Sequence, residues 1–462
     1  MKHYRLPYII IACAASMVCS CTKYLDIKPY GETTPKTAEE FSALLHYHLN
    51  SIDHGEQTIL GDIASACYLE CYADNLEASL TPYPAGNYFP LYIGDQLNRK
   101  QTLYANTYSV IRDCNIIIGY LEERESRTAK DVLGTAHAIR GICYYNLLRD
   151  FCEPCTGNLD GYGVPVVTEF DMEAKPLRST MAKTIEQAES DMLSAISYGI
   201  SDEVYRFNSD VMKGYLARLY FWSGNYTKAS GYAREILDAY PLISGTSYTE
   251  MLGSEVTRKG NIIIKSCTVL DTGEMTSYGG TKSYVSNRPV SRSLAELFAE
   301  GERDIRYRLS FDRKRKFTKN AFACLRSAEM QLILAESLYH TGDYTGALSA
   351  VNELRRLRIT DCVDYTMETL PPVDTDGLIK EDAKGNPLTP LLYAIMCERR
   401  KELFMEGDRW YELKRNGRPE FWAAKQGRKY TTMRFMYTFP LPINDIELVE
   451  GLVQNPGYTQ TR

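Results

Sequence analysis

Residues 216–241 read LARLYFWSGNYTKASGYAREILDAYP. Small and aromatic residues recur there at helical spacing: Ala217, Tyr220, Ala229, Ala233 and Ile236, with Gly224 and Tyr226 between them and Pro241 at the end. The pattern predicts a helix ended by Gly224 and a second opened by Tyr226, with alanines that let the two approach closely. Residues 334–358, LAESLYHTGDYTGALSAVNELRRLR, place Leu334, Ala335, Leu338, Gly342, Tyr344, Ala347, Val351 and Leu354 at the same offsets, 118 positions later.

Both stretches fit the tetratricopeptide spacing, although at that separation they form no tandem array. Such hairpins cannot bury their faces alone, so further helix pairs must lie around them. Residues 107–151 are the obvious supplier, through TYSVIRDCNIIIGYLEE and DVLGTAHAIRGICYYNLLRDF. Another helix is expected over STMAKTIEQAESDMLSAIS, and TAEE at 37–40 is a capping box, with Thr37 as cap and Glu40 three residues on. Strand-like runs are few, YGVPVV and NIIIKSCTVL being the best. The expected class is mainly α: a tetratricopeptide-like helix-pair scaffold with long irregular loop insertions and little β. Two segments stand out as irregular. Residues 51–104 are rich in turns, and 241–293 are rich in Gly, Ser, Thr and Tyr. Insertions of that length are usually functional or disordered.

Composition bounds the function. The chain has 462 residues, ample for a large core, and a net charge of −6 leaves no basic footprint for nucleic acid. Its 35 tyrosines supply rigid amphipathic surface suited to interfaces and sugar-like ligands, although most are expected to pack between helices. The N-terminus has a basic start (Lys2, His3, Arg5) and an apolar run from Leu6 to Val18. That run is too short to span a membrane and reads as a signal-peptide core. VCSC then places an apolar residue three before Cys21 and a small one just before it, the pattern of a bacterial lipoprotein cleavage site. Cys13 fits the same pattern but would leave too short an apolar core. Cys21 is therefore the expected lipidation point and 1–20 the signal peptide. The close cysteine pairs Cys67–Cys71 and Cys152–Cys155 could form disulfides outside the cytoplasm. They lie far apart and lack nearby histidines, so no metal site is expected and no cofactor is implied.

The run CERRKELFMEGDRWYELKRNG carries Glu398, Glu402 and Glu406 on one helix face. Like charges at that spacing repel and need cations to answer them. Arg399, Arg400 and Arg409 are near in sequence, and Arg355, Arg356 and Arg358 could approach from the preceding hairpin. Arg409 could also stack on Trp410. Two carboxylates could serve glycoside hydrolysis. Glycosidase pairs usually face each other across a cleft, however, so a structural ion-pair network of Glu398, Arg399, Arg400, Glu402 and Arg409 is the favoured reading.

ERRKELFMEGDRWYELKRNG, LRSAEMQLILAE with its VNELRRLR tail, and YTFPLPINDIELVEGLVQNPGY together resemble the SusD/RagB family of outer-membrane nutrient-binding lipoproteins of Bacteroidetes. CTKYLDIKP, IRDCNIII, AHAIRGICYYNLLRDF with GYGVPVV, and KGYLARLYFWSGNY extend the resemblance over essentially all of 21–462. The chain departs in detail: Tyr411-Glu412 stands for an aromatic-Asp pair, and Asn416 for a frequent Trp. The resemblance implies an N-terminal SusD-like helical region over 21–240, the irregular insertion over 241–293 and a C-terminal region over 294–462, in one compact mature unit. It implies a lipid-anchored protein at the cell surface, on the outer membrane. Such a protein captures glycans, or alternatively peptides or glycopeptides, and delivers them without catalysis to a SusC-like TonB-dependent transporter. Sugar sites need flat aromatic faces and a few polar groups. The candidates are Tyr72, Asp74, Asn75, Tyr83, Tyr88, Tyr92 and Asn98 in the first segment, and Tyr278, Tyr284, Asn287 and Arg288 in the second.

Overall fold

The computed structural model describes residues 35–54, 58–61, 63–78, 92–155, 157–253, 262–265, 288–321, 323–425 and 427–458. Cys21 and the expected signal peptide lie outside these residues. From Thr37 onward the chain forms one compact unit. Its elements are α1 (Ala38–His54), α2 (Ile63–Tyr72), α3 (Lys100–Tyr120), α4 (Arg127–Phe151), α5 (Met181–Tyr198), α6 (Ser209–Trp222), α7 (Tyr226–Ala239), α8 (Gly245–Gly253) and β1 (Ile262–Lys265). These are followed by α9 (Arg292–Ala295), α10 (Ile305–Ser310), β2 (Cys324–Arg326), α11 (Ser327–His340), α12 (Tyr344–Arg356), α13 (Pro390–Glu402), α14 (Asp408–Arg415), β3 (Phe421–Lys425), β4 (Arg428–Thr432) and α15 (Ile443–Leu448). The fold is mainly α, as its patterning predicts.

The two quoted hairpins are α6–α7 and α11–α12, and α7 packs against α11 so that their faces are buried on each other. Gly224 (φ 77°) and Gly342 (φ 88°) make the turns in the left-handed region, where a Cβ is disfavoured. Asn225 and Asp343 then cap α7 and α12, their side-chain oxygens accepting from the backbone N–H of Lys228 (3.3 Å) and Gly346 (2.8 Å). Ala217, Ala229, Ala233, Ala335 and Ala347 are fully buried, and the Tyr226 ring stacks on His340 at 4.3 Å, joining the hairpins. Tyr344 departs from its partner position in being 51% exposed. The capping box forms as spaced: Thr37 N donates to Glu40 Oε2 (3.0 Å), and Glu40 N donates to Thr37 Oγ1 (3.3 Å). Helices α3, α4 and α5 extend the stack, α4 packing along both its neighbours.

YGVPVV is not a strand. Pro165 has no N–H for a ladder. Before it, beside an isolated Tyr162–Thr180 bridge, Gly163 N donates to Ser179 O (2.8 Å) and Val164 O accepts from Ser179 N (3.2 Å), and from Pro165 onward carbonyls go to side chains. Tyr108 Oη donates to Pro165 O (2.6 Å), Tyr144 Oη to Val167 O (2.7 Å) and Asn115 Nδ2 to Val167 O (3.0 Å). The expected irregular stretch 241–293 holds α8 and β1. β1 pairs antiparallel with β2, across a bulge, and β3 with β4, setting Trp422 opposite Thr431. Cys67, Cys71, Cys152 and Cys155 are buried and joined in no disulfide. Burial pushes the Cys71 and Cys152 thiols up to about 11 and Cys155 to about 12.

Candidate functional site

Glu398 and Glu402 share a face of α13, but the helix ends at Glu402 and the expected third member, Glu406, sits in the turn that follows. All three carboxylates lie inside the protein, answered from distant elements. Glu402 is fully buried. Its carboxylate meets Arg326 (2.7 Å), Arg358 (2.9 Å) and Arg306 (3.5 Å), and Tyr248 Oη donates to it at 3.2 Å. Burial alone would lift this carboxyl, but the three guanidinium groups hold it well below the usual range. Glu398 pairs with Arg306 (2.7 Å), Lys401 (2.8 Å) and Arg355 (3.4 Å), and Glu406 pairs with Lys319 (2.7 Å) and Arg326 (2.9 Å). Arg356, expected to take part, pairs with exposed Asp364 instead. Arg306, Arg326 and Lys319, invisible from local sequence, supply much of the compensation. The arginines of the same run serve other partners. Arg399 pairs with Asp408 (2.5 Å). Arg409 takes Asp74 (2.7 Å) and Glu412 (2.7 Å), while Trp410 stacks on Tyr437 at 4.5 Å.

Arg400 and Arg409 form the floor of a cleft of about 570 Å³. Arg400 donates to Asn75 Oδ1 (2.7 Å), Asp74 O (3.0 Å) and Ser293 Oγ (3.1 Å). Burial would raise the Asp74 carboxyl, but Arg400 and Arg409 hold it well below the usual range. Asn75 Nδ2 donates to Glu70 Oε2 (2.7 Å). Glu70 also accepts from Met405 N (2.9 Å), and burial lifts it to about 7. Asp74 and Asn75 are thus bound into the floor, tying α2 to α13 and α14.

Of the other described candidates, Arg288 lines this cleft and Tyr72, Tyr92 and Asn98 do not. Arg288 is buried and donates to Glu77 O (2.9 Å) and Cys71 O (3.2 Å). A bridge between Leu76 and Val290, with Glu77 N donating to Pro289 O (2.8 Å), sets the edges of the two irregular segments side by side. The first leaves the described fold at Ala78, on the cleft wall. It returns at Tyr92, whose hydroxyl donates to Thr431 O (3.0 Å) and whose ring stacks on Tyr430 at 5.0 Å. Tyr72 is buried with its ring edge-on to Trp410 (6.0 Å), and Asn98 is exposed on a short turn. Tyr83, Tyr88, Tyr278, Tyr284 and Asn287 lie outside the described residues.

One lining residue escaped the sequence reading. Trp422, on β3, is 45% exposed at the cleft, and Lys429 Nζ sits 4.6 Å from its ring centroid. No insertion carries a tryptophan. The β3–β4 hairpin brings one to the cleft that Ala78, before the first insertion's undescribed part, and Arg288, after the second's, also line. The only sequence signal was an aromatic pair, Phe421-Trp422, at the start of a short strand.

Two family models match the chain. One, described as starch-binding and associating with the outer membrane, covers residues 23–221, and the other, the SusD family, covers residues 310–458. No curated protein matches. Among solved structures, a SusD superfamily protein from Bacteroides thetaiotaomicron is 23% identical with a TM-score of 0.69, over 91% of this chain and 100% of that one. A SusD-like carbohydrate-binding protein from Bacteroides vulgatus is 17% identical with a TM-score of 0.67, over 90% and 98%. A laminarin-binding SusD-like protein is 18% identical with a TM-score of 0.58, over 92% and 100%. Matched by sequence models at both ends and by a common fold along most of its length, the chain belongs to the SusD/RagB family.

Proposed function

We propose that the protein captures glycans at the cell surface and delivers them to a SusC-like TonB-dependent transporter, breaking no bond itself. One observation carries the reading: an exposed tryptophan and the edges of two tyrosine-bearing insertions converge on a single cleft. An aromatic face beside fixed polar groups is what sugar rings require. The family's description as starch-binding and the laminarin-binding neighbour support it. Hydrolysis by Glu398 and Glu402 is disfavoured by their position, since both are buried in ion pairs where no sugar reaches them. Tyr83, Tyr88, Tyr278, Tyr284 and Asn287 are proposed to complete the site from the insertions. Described residues such as Asp74, Asn75 and Arg288 shape its floor and wall.

Glu296, Asp374 and Asp376 line the cleft, whereas its arginines are committed to Asp74 and to backbone carbonyls. Neutral glycans are therefore expected to bind in preference to uronate or sulfated ones. Calorimetry across a panel of both kinds should find micromolar to millimolar affinity, roughly −8 to −4 kcal/mol, among the neutral members. Peptide arrays provide the contrast: binding confined to peptides would replace glycan with peptide as cargo. Anchoring rests on Cys21, since stable attachment takes more than one acyl chain. Intact mass should show a chain beginning at lipidated Cys21, and Cys21→Ser should release the protein from the membrane. A mature chain without lipid would remove the surface placement.

A further inference from the structure

Beneath α14 lies an inner cavity of about 40 Å³, remote in role from the glycan cleft, with which it shares no lining residue. Five of the side chains lining it carry a buried polar atom with no protein partner: Arg149 Nε, Trp222 Nε1, Arg399 Nη1, Arg415 Nη1 and Glu412 Oε1. Trp222, Arg399, Arg415 and Glu412 are each more than nine-tenths buried. Unpaired polar groups at such depth are costly, and an unpaired charge more so. Here they gather at one place.

The composition of the wall selects the occupant. Four atoms are N–H donors and one is a carboxyl oxygen. Water donates two hydrogens for every pair it accepts, so a water cluster facing this wall finds acceptors for few of its protons. A monoatomic anion accepts only. Charge points the same way. Arg399 has Asp408, Arg415 has Glu336 and Arg218 has Glu329. Among the described residues Arg149 enters no ion pair, its guanidinium lying 3.8 Å from the Tyr411 ring centroid and 5.2 Å from that of Tyr145. Glu412 is answered by Arg409 (2.7 Å), and burial lifts its carboxyl against that pairing. The volume exceeds the 10–15 Å³ or so that one water needs. A cavity of about 150 Å³ adjoins it, sharing Tyr145, Arg149, Arg218, Glu329, Asp408 and Tyr411.

We propose that this cavity is a halide site, holding a chloride ion that bridges α4, α6, α13 and α14. Crystals of the full chain in bromide should show an anomalous peak among Trp222, Arg399 and Arg415. The thermal midpoint should lie about 2 °C higher in sodium chloride than in sodium gluconate of equal ionic strength. Trp222→Phe, which removes one donor and keeps the ring, should narrow that gap. Absence of the peak, midpoints indifferent to the anion, or a gap unchanged by Trp222→Phe would each overturn the proposal.

Discussion

Replacing Glu402 with Gln is expected to lower the unfolding free energy by about 3–5 kcal/mol, the typical cost of breaking a buried ion pair from one side. The substitution keeps shape and volume and removes only the charge. Arg326, Arg358 and Arg306, all nearly or wholly buried, then face a neutral amide. They come from β2, from the turn after α12 and from α10, so their mutual repulsion acts between elements that Glu402 otherwise draws together. Denaturant titration measures it, read as a fall in midpoint at constant slope. A midpoint within experimental error of the parent would show the three cations to be compensated elsewhere, and the account of the core would be wrong. Acid should act on the same cluster. Burial alone would lift Glu398, but Lys401, Arg306 and Arg355 outweigh it and hold the carboxyl at about 2 against an ordinary 4.5. Its folded value is depressed, so its contribution is fully present above pH 4.5 and is lost as pH falls towards 2.

The same cluster shows what the sequence could disclose. Its acidic stripe was legible in part: the helix period places Glu398 and Glu402 on one face of α13, whereas Glu406 lies in the turn beyond the helix end. The hairpins were legible for the same reason: Gly224 and Gly342 punctuate two runs whose small residues recur at helical spacing. Each reading needed only local periodicity. The cations were different. Arg306 and Arg326 lie 96 and 76 positions from Glu402, and nothing local to either announces the pairing. The site was harder to read for a related reason. Asp74 and Asn75 look like ligand-binding groups in a turn-rich segment, but their hydrogen-bonding capacity is taken up by Arg400 and Arg409, which arrive from α13 and α14. Polarity in a loop signals a partner without saying whether that partner is a ligand or a distant side chain. Trp422 erred in the opposite direction. Trp222 and Trp410 are buried in helices, whereas Trp422 lies in a five-residue strand too short to reveal which face is exposed.

Trp422→Ala is expected to reduce glycan affinity about 10- to 30-fold while leaving the fold intact. The two halves of that result have separate causes. A sugar face stacked on the indole gains its buried apolar area at about 25 cal/mol per Å², plus about 0.5–1.5 kcal/mol from ring contact, and each 1.4 kcal/mol or so is tenfold in affinity. In a weak binder, one such contact is a large part of the total. The stability half follows from exposure. Trp422 is 45% exposed, its strand pairs with β4 through the backbone, and exposed positions of this kind usually change stability by about 0.5 kcal/mol or less. Asp74→Asn supplies the contrast. It weakens the pairing with Arg409 (2.7 Å) and Arg400 (3.1 Å), so it should lower the melting midpoint together with any change in binding. Calorimetry with a neutral oligosaccharide, beside thermal melts of both variants, separates a contact residue from a structural one. If Trp422→Ala binds as tightly as the parent, the glycan does not stack on the β3–β4 hairpin, and recognition passes to the insertion tyrosines alone.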